Sequence, residues 1–421
     1  MKANLLLITN GFPFGESERG FLPDEFRLLT ERFHVTVLAK TPTPPPEAWE
    51  QLDFDRNRVF CTGNEALKPL FVLRQLFRRE TLTELRLAWA PRQSLRMRMQ
   101  RLSAIVRWRA RAAQYEKIID RLCTQQQIDL IYTYWCTQAT LGASLVQQRR
   151  PQLKLVVRFH GYDLYQERAE ALWQPFRHLT IQQAQLLVFA CQTGLDYFRS
   201  HWPATPEEKM VVAYLGSSAM EPASPASDGV LHLVSCSNLI PLKRVGLLIE
   251  ALAVLPEQIR VDWHHFGDGV LRGTLEQQAR TRLGSRAHIT WTFHGAIPNS
   301  QLNQLYQQLH AEVFVTLSET EGGVPVSMQE ALAMGIPTIG TQVGGIPELI
   351  LPGETGWLLR PDLTASEAAA ALTEAARLSP HEMERMRTAC LRHWAAHFNR
   401  KENADRFTQL LCTIAQSKDE L

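Results

Sequence analysis

Residues 318–331 read Ser-Glu-Thr-Glu-Gly-Gly-Val-Pro-Val-Ser-Met-Gln-Glu-Ala and follow a strand-like apolar run at 313–317. Pro325 suits the first position of a helix, because its fixed φ fits there and its missing N–H would have no partner. Gly322 and Gly323, just before it, allow a ligand to approach the main chain closely. The segment predicts a strand–loop–helix unit of a parallel α/β sheet, with free amide groups at the helix start that attract phosphate.

Two carboxylates accompany these amide groups, one in the loop (Glu321) and one inside the predicted helix (Glu330). Carboxylates beside a phosphate site can accept hydrogen bonds from neutral hydroxyls, which favours a sugar joined to a diphosphate as the ligand. A Gly-Gly pair before a helix is common, and alone it more often has only a structural role. A second glycine turn, Gly-Gly-Ile-Pro-Glu at 344–348, follows a short apolar strand and favours the ligand interpretation.

Together these segments resemble the donor motif of the retaining glycosyltransferases of family 4, which has two Glu, a Gly-x-Pro and a Gly-Gly-x-Pro-Glu. The resemblance implies that Glu321 contacts the hydroxyls of the donor sugar, that Glu330 contacts the nucleotide ribose, and that Gly322, Gly323 and Val324 line the donor. Eight residues separate the two glutamates, one more than in the family. The glycine pair can absorb the extra residue without rotating Glu330 on its helix.

A second donor segment, Ser-Cys-Ser-Asn-Leu-Ile-Pro-Leu-Lys-Arg at 235–244, lies between a predicted strand and a helix. Ligands of open α/β sheets bind beyond such carboxyl ends. The family places an arginine and a lysine on the donor diphosphate here. Lys243 matches the lysine, Asn238 stands where the arginine is expected, and Arg244 is the candidate to supply the missing charge. The alternative is an exposed Lys-Arg pair at a helix start.

The loop at 293–296 follows another predicted strand, and by the resemblance His294 packs against the nucleotide base. From the residues alone this loop could be a plain turn. Gly267-x-Gly269 is too short a pattern to indicate a dinucleotide site.

In the first half of the chain, Gly15 and Glu16 lie in a glycine-containing loop after the first predicted strand. By similarity this loop lies near the donor phosphates (Gly15) and the acceptor (Glu16); the alternative is a simple surface loop. His160 ends another strand and is similar to the family histidine near the reacting centre, which implies hydrogen bonding to the donor sugar or acceptor rather than a covalent intermediate. Tyr162 and Asp163, which follow it, are acceptor-site candidates.

The composition is that of a globular protein with two domains: 421 residues, 45% hydrophobic and 21% charged. A net charge of +2 argues against an overall nucleic-acid binder. The seven cysteines are scattered without a Cys-x-x-Cys pair, so neither a disulfide framework nor a zinc site is indicated. Asp53-Phe54-Asp55 spells the metal motif of a different transferase fold, but no His or Cys cluster supports it, and we interpret it as a solvated turn. We predict no cofactor and no essential metal; the substrate is a nucleotide-diphosphate sugar, with UDP as the default.

Both halves of the chain alternate predicted strands, among them 4–9, 34–39 and 261–266, with helices, and the Pro-rich stretch 41–47 is predicted to be a loop. This alternation predicts the α/β class with two doubly wound Rossmann-like domains. By the resemblance the two domains face each other across a cleft in the GT-B fold. Three regions follow: 1–216 as the acceptor-side domain with 395–421 returning to it, 217–228 as a linker rich in Ser, Ala and Pro, and 229–394 as the donor-binding domain.

Residues 71–112 contain eleven Arg, two Glu and no Lys, interleaved with apolar residues. The local charge is 11 − 2 = +9, which leaves about −7 for the rest of a +2 chain. Such a segment can lie on anionic lipid, bind nucleic acid or form a solvated face. We favour contact with a membrane surface. Because no secretory signal or membrane span is visible, we expect a cytoplasmic protein, peripheral on the cytoplasmic face of the inner membrane, and regard the terminal Lys-Asp-Glu-Leu as a charged tail.

The resemblance thus implies a retaining, metal-independent hexosyltransferase. It would move a hexose from a nucleotide-diphosphate sugar to a hydroxyl of a polysaccharide or lipid-linked oligosaccharide, such as a lipopolysaccharide, capsule or exopolysaccharide precursor. Two alternatives stay open: a nucleotide-sugar epimerase or hydrolase of the same fold, and a non-catalytic sugar-nucleotide-binding subunit.

Overall fold

A computed structural model describes residues 2–14, 18, 22–40, 55, 58–62, 66–89, 94–226 and 228–417, apart from the side chains of 299 and 300. The chain divides into two compact units. Unit 1 is Met1–Ala213 with Lys401–Leu421, and unit 2 is Tyr214–Arg400. Residues predicted as the linker pack within unit 2, where the N–H of buried Ala223 donates to the carbonyl of Met334 at 3.1 Å.

Unit 1 contains a seven-stranded sheet in the order β3-β2-β1-β4-β5-β6-β7, in which all neighbours are parallel. The strands are β1 Asn4–Thr9, β2 His34–Ala39, β3 Val59–Cys61, β4 Leu130–Thr133, β5 Lys154–Phe159, β6 Leu186–Phe189 and β7 Met210–Val212. The central strands β4, β5 and β6 are buried at every position, as expected for a parallel sheet covered on both faces.

The helices of unit 1 cover this sheet and provide its crossovers. They are α1 Leu22–Arg32, α2 Pro69–Gln75, α3 Arg79–Ala88, α4 Leu95–Gln125, α5 Gln138–Arg149, α6 Arg177–Gln183, α7 Gln192–His201 and, from the C-terminal end of the chain, α15 Arg400–Gln416. The last helix packs on the sheet through Phe407, whose ring centroid lies 5.3 Å from that of Tyr132. The 31-residue α4 carries the C-terminal part of the Arg-rich segment, from residue 95 to residue 112, into this packing.

Unit 2 contains a six-stranded parallel sheet in the order β10-β9-β8-β11-β12-β13. Its strands are β8 Leu231–Cys236, β9 Val261–Phe266, β10 Ile289–Gly295, β11 Val313–Thr316, β12 Thr338–Thr341 and β13 Gly356–Leu359. Its helices are α8 Val245–Ala253, α9 Arg272–Leu283, α10 Asn299–Gln308, α11 Val326–Ala333, α12 Ile346–Leu349, α13 Ala365–Ala376 and α14 Pro380–His397. Neighbouring β8 and β11 end at the same edge, so the loops that follow them meet.

The predicted pair of doubly wound parallel sheets is confirmed. The predicted strands at 4–9, 34–39 and 261–266 coincide with β1, β2 and β9. The half-buried three-residue strands β3 and β7 were not predicted, because such short edge strands have almost no periodic signal. The predicted loop at 41–47 lies outside the described residues.

Candidate functional site

An ion pair joins the loop after β8 to the loop after β11. The Lys243 ammonium contacts Oε1 of Glu321, and Ser318 Oγ donates to the same oxygen at 2.7 Å. Both charged side chains are largely buried, with 22% and 13% of their surface exposed. The structure therefore brings the residue predicted to bind the diphosphate, Lys243, into direct contact with the residue predicted to bind the sugar, Glu321.

Arg244 does not point the same way as Lys243. Its backbone is left-handed (φ 47°), and its guanidinium donates to three main-chain carbonyls: Leu317 at 2.6 Å, Ser318 at 3.2 Å and Pro361 at 2.8 Å. These bonds tie the start of α8 to the end of β11. The role predicted for Arg244 on a diphosphate stays a prediction, and the geometry gives this residue a structural task. Asn238 is exposed at the start of the same loop.

The second predicted carboxylate, Glu330, is on α11 and is 5% exposed. It borders a cavity of about 450 Å³ that Ser218, Met220 and Asn303 also line. Burial, and then the charge of Glu330, raise the pKa of the Cys236 thiol at the end of β8 to about 11, so this thiol stays protonated. Glu330 therefore lies near the carboxyl end of β8, where the loop that carries Lys243 begins.

The helix α11 starts one residue later than predicted. Pro325 is the N-cap, with an extended ψ of 128°, and its carbonyl accepts the first helical hydrogen bond from the N–H of Gln329 at 3.2 Å. The helix still begins in the loop that carries Gly322 and Gly323, so its first amide groups lie beside these glycines.

The two glycine turns, at 322–323 and 344–345, form one structure. The N–H of Gly345 donates to the carbonyl of Gly323 at 3.0 Å. Gly344 has a φ of +52°, and a β-carbon there would lie 2.6 Å from the carbonyl oxygen of Glu321. Only glycine fits this contact, so the second turn supports the loop that carries Glu321.

His294 belongs to a hydrogen-bonded chain of three side chains that was not predicted. Asp262 Oδ2 accepts from His264 Nε2 at 3.0 Å, and His264 Nδ1 lies 2.9 Å from His294 Nε2. The imidazole of His294 stacks on Phe266, with ring centroids 4.5 Å apart and planes 3° apart. Burial and the neighbouring His264 lower the pKa of His294. Since Asp262 favours a proton on His264 Nε2, His264 Nδ1 accepts and His294 donates through Nε2.

In unit 1, His160 follows β5 and its Nε2 lies 3.0 Å from the carbonyl of Tyr134. A carbonyl only accepts, so Nε2 carries the proton and Nδ1 is left as an acceptor. Burial and the charge of Arg158 lower the pKa of His160 to about 3. His160 is thus a neutral hydrogen-bonding residue, which fits its predicted role better than proton transfer at neutral pH would.

The predicted acceptor-site residues Tyr162 and Asp163 differ in exposure. Tyr162 is 47% exposed, stacks on Trp135 with centroids 5.0 Å apart, and its hydroxyl accepts from Asn10 Nδ2 at 2.6 Å. Asp163 is buried and accepts from the N–H groups of Cys136 and His160, each at 2.9 Å. Burial raises the pKa of Asp163 to about 6. Asp163 therefore stabilises the loop that carries His160 through main-chain hydrogen bonds, whereas Tyr162 presents an exposed aromatic ring.

Gly15 and Glu16 lie outside the described residues, but Glu18 in the same loop has a clear role. Its carboxylate accepts from the N–H groups of Asn10, Gly11 and Phe12 at 2.8–3.3 Å and from the indole of Trp135 at 2.9 Å. A single carboxylate thus shapes the turn after β1, and sequence reasoning missed it because only its place in the loop pointed to such a role.

Within the described ranges, no group of three or more His, Cys, Asp or Glu is arranged to hold a metal ion. Asp55 is described, whereas Asp53 and Phe54 of the predicted solvated turn are not.

Comparisons with known proteins bear on both units. Residues 219–390 match the protein-family model described as "Glycosyl transferases group 1". The chain is 26% identical over 313 residues to "Putative colanic acid biosynthesis glycosyltransferase WcaL" of Salmonella typhimurium, covering 70% of this chain and 74% of that protein. It is 25% identical over 264 residues to the amylovoran biosynthesis glycosyltransferase AmsK of Erwinia amylovora, covering 61% and 62%.

Among solved structures, the lipopolysaccharide outer core galactosyltransferase WaaB has a TM-score of 0.70 at 13% identity, over 97% of this chain and 99% of that chain. Anabaena HepE in complex with UDP has a TM-score of 0.67 at 19% identity, over 98% and 100%. These likenesses concern the fold, which is that of the GT-B glycosyltransferases.

Proposed function

We propose that the chain is a retaining glycosyltransferase that moves a hexose from a nucleotide-diphosphate sugar to a hydroxyl of a polysaccharide or lipid-linked oligosaccharide. The observation that carries the proposal is the Lys243–Glu321 ion pair beside the start of α11, within the residues that match group 1 glycosyl transferases. The names of two relatives, concerned with colanic acid and amylovoran, support an exopolysaccharide product.

The donor site uses charge and hydrogen bonding. Lys243 and the amide groups at the start of α11 would bind the diphosphate, and Glu321 the sugar hydroxyls. Glu330 would bind the ribose, and His294 would pack on the base. The structurally similar protein HepE of Anabaena was solved in complex with UDP and with UDP-glucose, which supports uridine as the default base. A fixed cation lowers the barrier because negative charge grows on the departing diphosphate.

In the proposed reaction the bond between the sugar C1 and the diphosphate oxygen breaks, and a bond from C1 to the acceptor oxygen forms on the same face. The proton of the acceptor hydroxyl goes to the departing diphosphate. The side chains position the reactants and need no covalent intermediate. His160 would accept a hydrogen bond from a sugar hydroxyl through Nδ1, since its Nε2 proton is engaged by Tyr134. No metal takes part in this scheme, which stays a prediction.

The test is a thermal-shift screen of nucleotide sugars on the intact chain, followed by product analysis with and without glycan acceptors. Glu330→Ala and Lys243→Ala should abolish the thermal shift and the transfer. The control Arg282→Gln should change neither, because Arg282 lies on α9 in an exposed ion pair with Glu250 of α8. Donor consumed without acceptor indicates a hydrolase or an epimerase. Donor bound but never consumed indicates a binding subunit. Two observations support that alternative: Asn238 stands in place of an arginine, and one extra residue separates Glu321 from Glu330.

We propose in addition that α2, α3 and the start of α4 contact an anionic membrane surface, at the cytoplasmic face. Leu70 and Leu73 lie on α2, Phe77 lies just after its end, and these side chains are 65%, 54% and 82% exposed. Leu95 and Met99, one turn apart on α4, are 74% and 56% exposed. The exposed basic side chains of these helices are Arg74, Arg78, Arg79, Arg86 and Arg96. Exposed apolar side chains among arginines match a lipid interface with anionic headgroups.

None of the helices in the described ranges combines the length and the apolarity needed to cross a membrane. Flotation with vesicles of phosphatidylglycerol and phosphatidylcholine tests surface contact, with Arg74→Glu, Arg78→Glu and Arg86→Glu combined. Arg101 is unsuitable for this test, because its guanidinium donates to the carbonyls of Ala88 and Ala171. Equal flotation of the triple variant and the unaltered chain would contradict the proposal.

A further inference from the structure

Unit 1 contains a pocket at the carboxyl ends of β1, β2 and β4 that the proposed donor chemistry does not use. It consists of two adjoining cavities of about 220 and 420 Å³. Both are lined by Lys40 after β2, Trp108 on α4, Gln138 at the start of α5, and Glu170. Because the two cavities share these four lining residues they lie side by side, and we call them together the recess.

Aromatic side chains form part of its wall. Trp108 and Trp173 are half-buried, and Tyr162 is 47% exposed at the rim. Trp173 is held by a hydrogen bond from its indole to Glu84 at 2.7 Å, and Arg101 covers one face of its ring. Fixed aromatic side chains with an apolar body and a polar edge suit the C–H faces and hydroxyls of a pyranose.

Positive charge lines the same recess. Lys40 and Arg168 border the smaller cavity, and Lys40 and Arg111 border the larger one. Arg107 is paired with Glu170 at its entrance. The carboxylate of Asp163 is occupied by two main-chain N–H groups. Lys40, Arg111 and Arg168 therefore give the recess a net positive charge.

The helix α4 brings this combination together. Trp108, Arg111 and Tyr115 recur at three- and four-residue spacing, so one face of the helix presents them to the recess. A neutral glycan makes no use of an ammonium and a guanidinium beside the stacking surface. A carboxylate or phosphate does, because charge-assisted hydrogen bonds to Arg and Lys are the stronger kind.

We infer that this recess binds the acceptor, and that the acceptor carries an anionic group next to a pyranose ring. That the bound molecule is the acceptor rests on the proposed function, whereas its anionic sugar is inferred from the residues of the recess alone. The anion has two chemical sources, the carboxylate of a uronic acid or the phosphate that links a sugar to a lipid, and both present oxygens to the same cations.

In the experiment, the intact chain is titrated with methyl β-glucuronide, glucose 1-phosphate and methyl β-glucoside. Saturation-transfer NMR and tryptophan fluorescence measure the binding of each sugar. We expect the two anionic sugars to bind roughly tenfold or more tightly than the neutral glucoside, from a single charge-assisted hydrogen bond. Preference for the glucuronide points to a uronic acid, and preference for the phosphate points to a lipid-linked sugar. Equal binding of all three, or binding of none, overturns the inference.

Lys40→Gln and Arg111→Gln should each remove the preference for the anionic sugars. The matched control is Arg121→Gln, an exposed arginine of α4 that does not line the recess. A preference that survives in both recess variants also overturns the inference. The thermal shift by UDP, measured on the same proteins, tests the other unit. If UDP causes no thermal shift in the unaltered chain but the glucuronide still binds, the proposed function is wrong and the anionic-sugar site is retained.

Discussion

The ammonium of Lys243 is held by the carboxylate of Glu321, 78 residues further along the chain. Lys243 is the sole lysine among residues 214–400. An ammonium has three N–H donors, and the contact with Glu321 uses one of them. The remaining donors can reach a diphosphate without breaking the pair. The cation is therefore in place before the ligand binds, and this lowers the ordering cost of binding.

Replacing Lys243 by Gln should lower kcat/KM by about 10²–10³, the usual cost of losing one fixed group that stabilises transition-state charge. Glu321→Gln keeps the side-chain length and should lower kcat/KM less, because its amide can still bind a sugar hydroxyl. Steady-state kinetics with the donor found in the screen measures both, with Arg282→Gln as the control. A Lys243→Gln variant within threefold of the unaltered chain would contradict the assigned site.

Gly344→Ala and Gly353→Ala form a matched pair, because both glycines have positive φ values, +52° and +76°. An alanine at 353 meets nothing within 4 Å and should cost only the backbone strain, roughly 1–2 kcal/mol. An alanine at 344 would also press on the main chain of Glu321. We expect Gly344→Ala to destabilise unit 2 further and to lose donor binding. Calorimetry and the donor thermal shift measure both effects, and equal behaviour of the two variants would argue against this contact.

Arg244→Gln should destabilise unit 2 by about 1–3 kcal/mol, since the guanidinium holds three carbonyls in and around the β11 loop. Arg244→Lys should not restore the stability, because one ammonium cannot replace a planar fork of donors. Denaturant unfolding measures the change. An unaltered stability together with weaker UDP binding would instead support the diphosphate role predicted from sequence.

The stability of unit 2 should fall on mild acidification because of His265. His265 Nε2 lies 3.2 Å from the carbonyl of Ser237 and carries the proton, so Nδ1 accepts from Ser235 Oγ at 2.8 Å. Burial lowers the pKa of His265 to about 4 from an ordinary 6.5. The unfolded chain therefore binds the extra proton between these pH values and the folded chain does not.

This stabilisation is complete above about pH 6.5 and is lost at about 1.4 kcal/mol per pH unit as the pH falls toward 4. Melting temperatures between pH 7 and pH 4 measure the slope, which His265→Gln should reduce. The control is His201→Gln, an exposed histidine of unit 1. An identical pH slope in His265→Gln and the unaltered chain would contradict the prediction.

The predictions from sequence worked best where one local pattern decides the structure. The central strand β1 was predicted to the residue, since its buried residues 5–8 form a continuous apolar run with clear ends. The start of α11 was predicted one residue early, because Pro325 suits the N-cap and the next position almost equally. No local pattern showed that the glycine turn at 344–345 supports the Glu321 loop, because that contact depends on packing.

From the amino-acid sequence alone we could predict the residue types of the candidate donor site, the alternation of the longer strands with helices, and the charge of the Arg-rich segment. These follow from chain-local rules of periodicity, turn formation and composition. The folded chain was needed to show that Lys243 pairs with Glu321 and that Arg244 holds main-chain carbonyls. It was also needed to show that Trp108 and Arg111 line one recess with Lys40. Such relationships depend on which strand ends become neighbours in the folded sheet, and sequence spacing does not encode that adjacency.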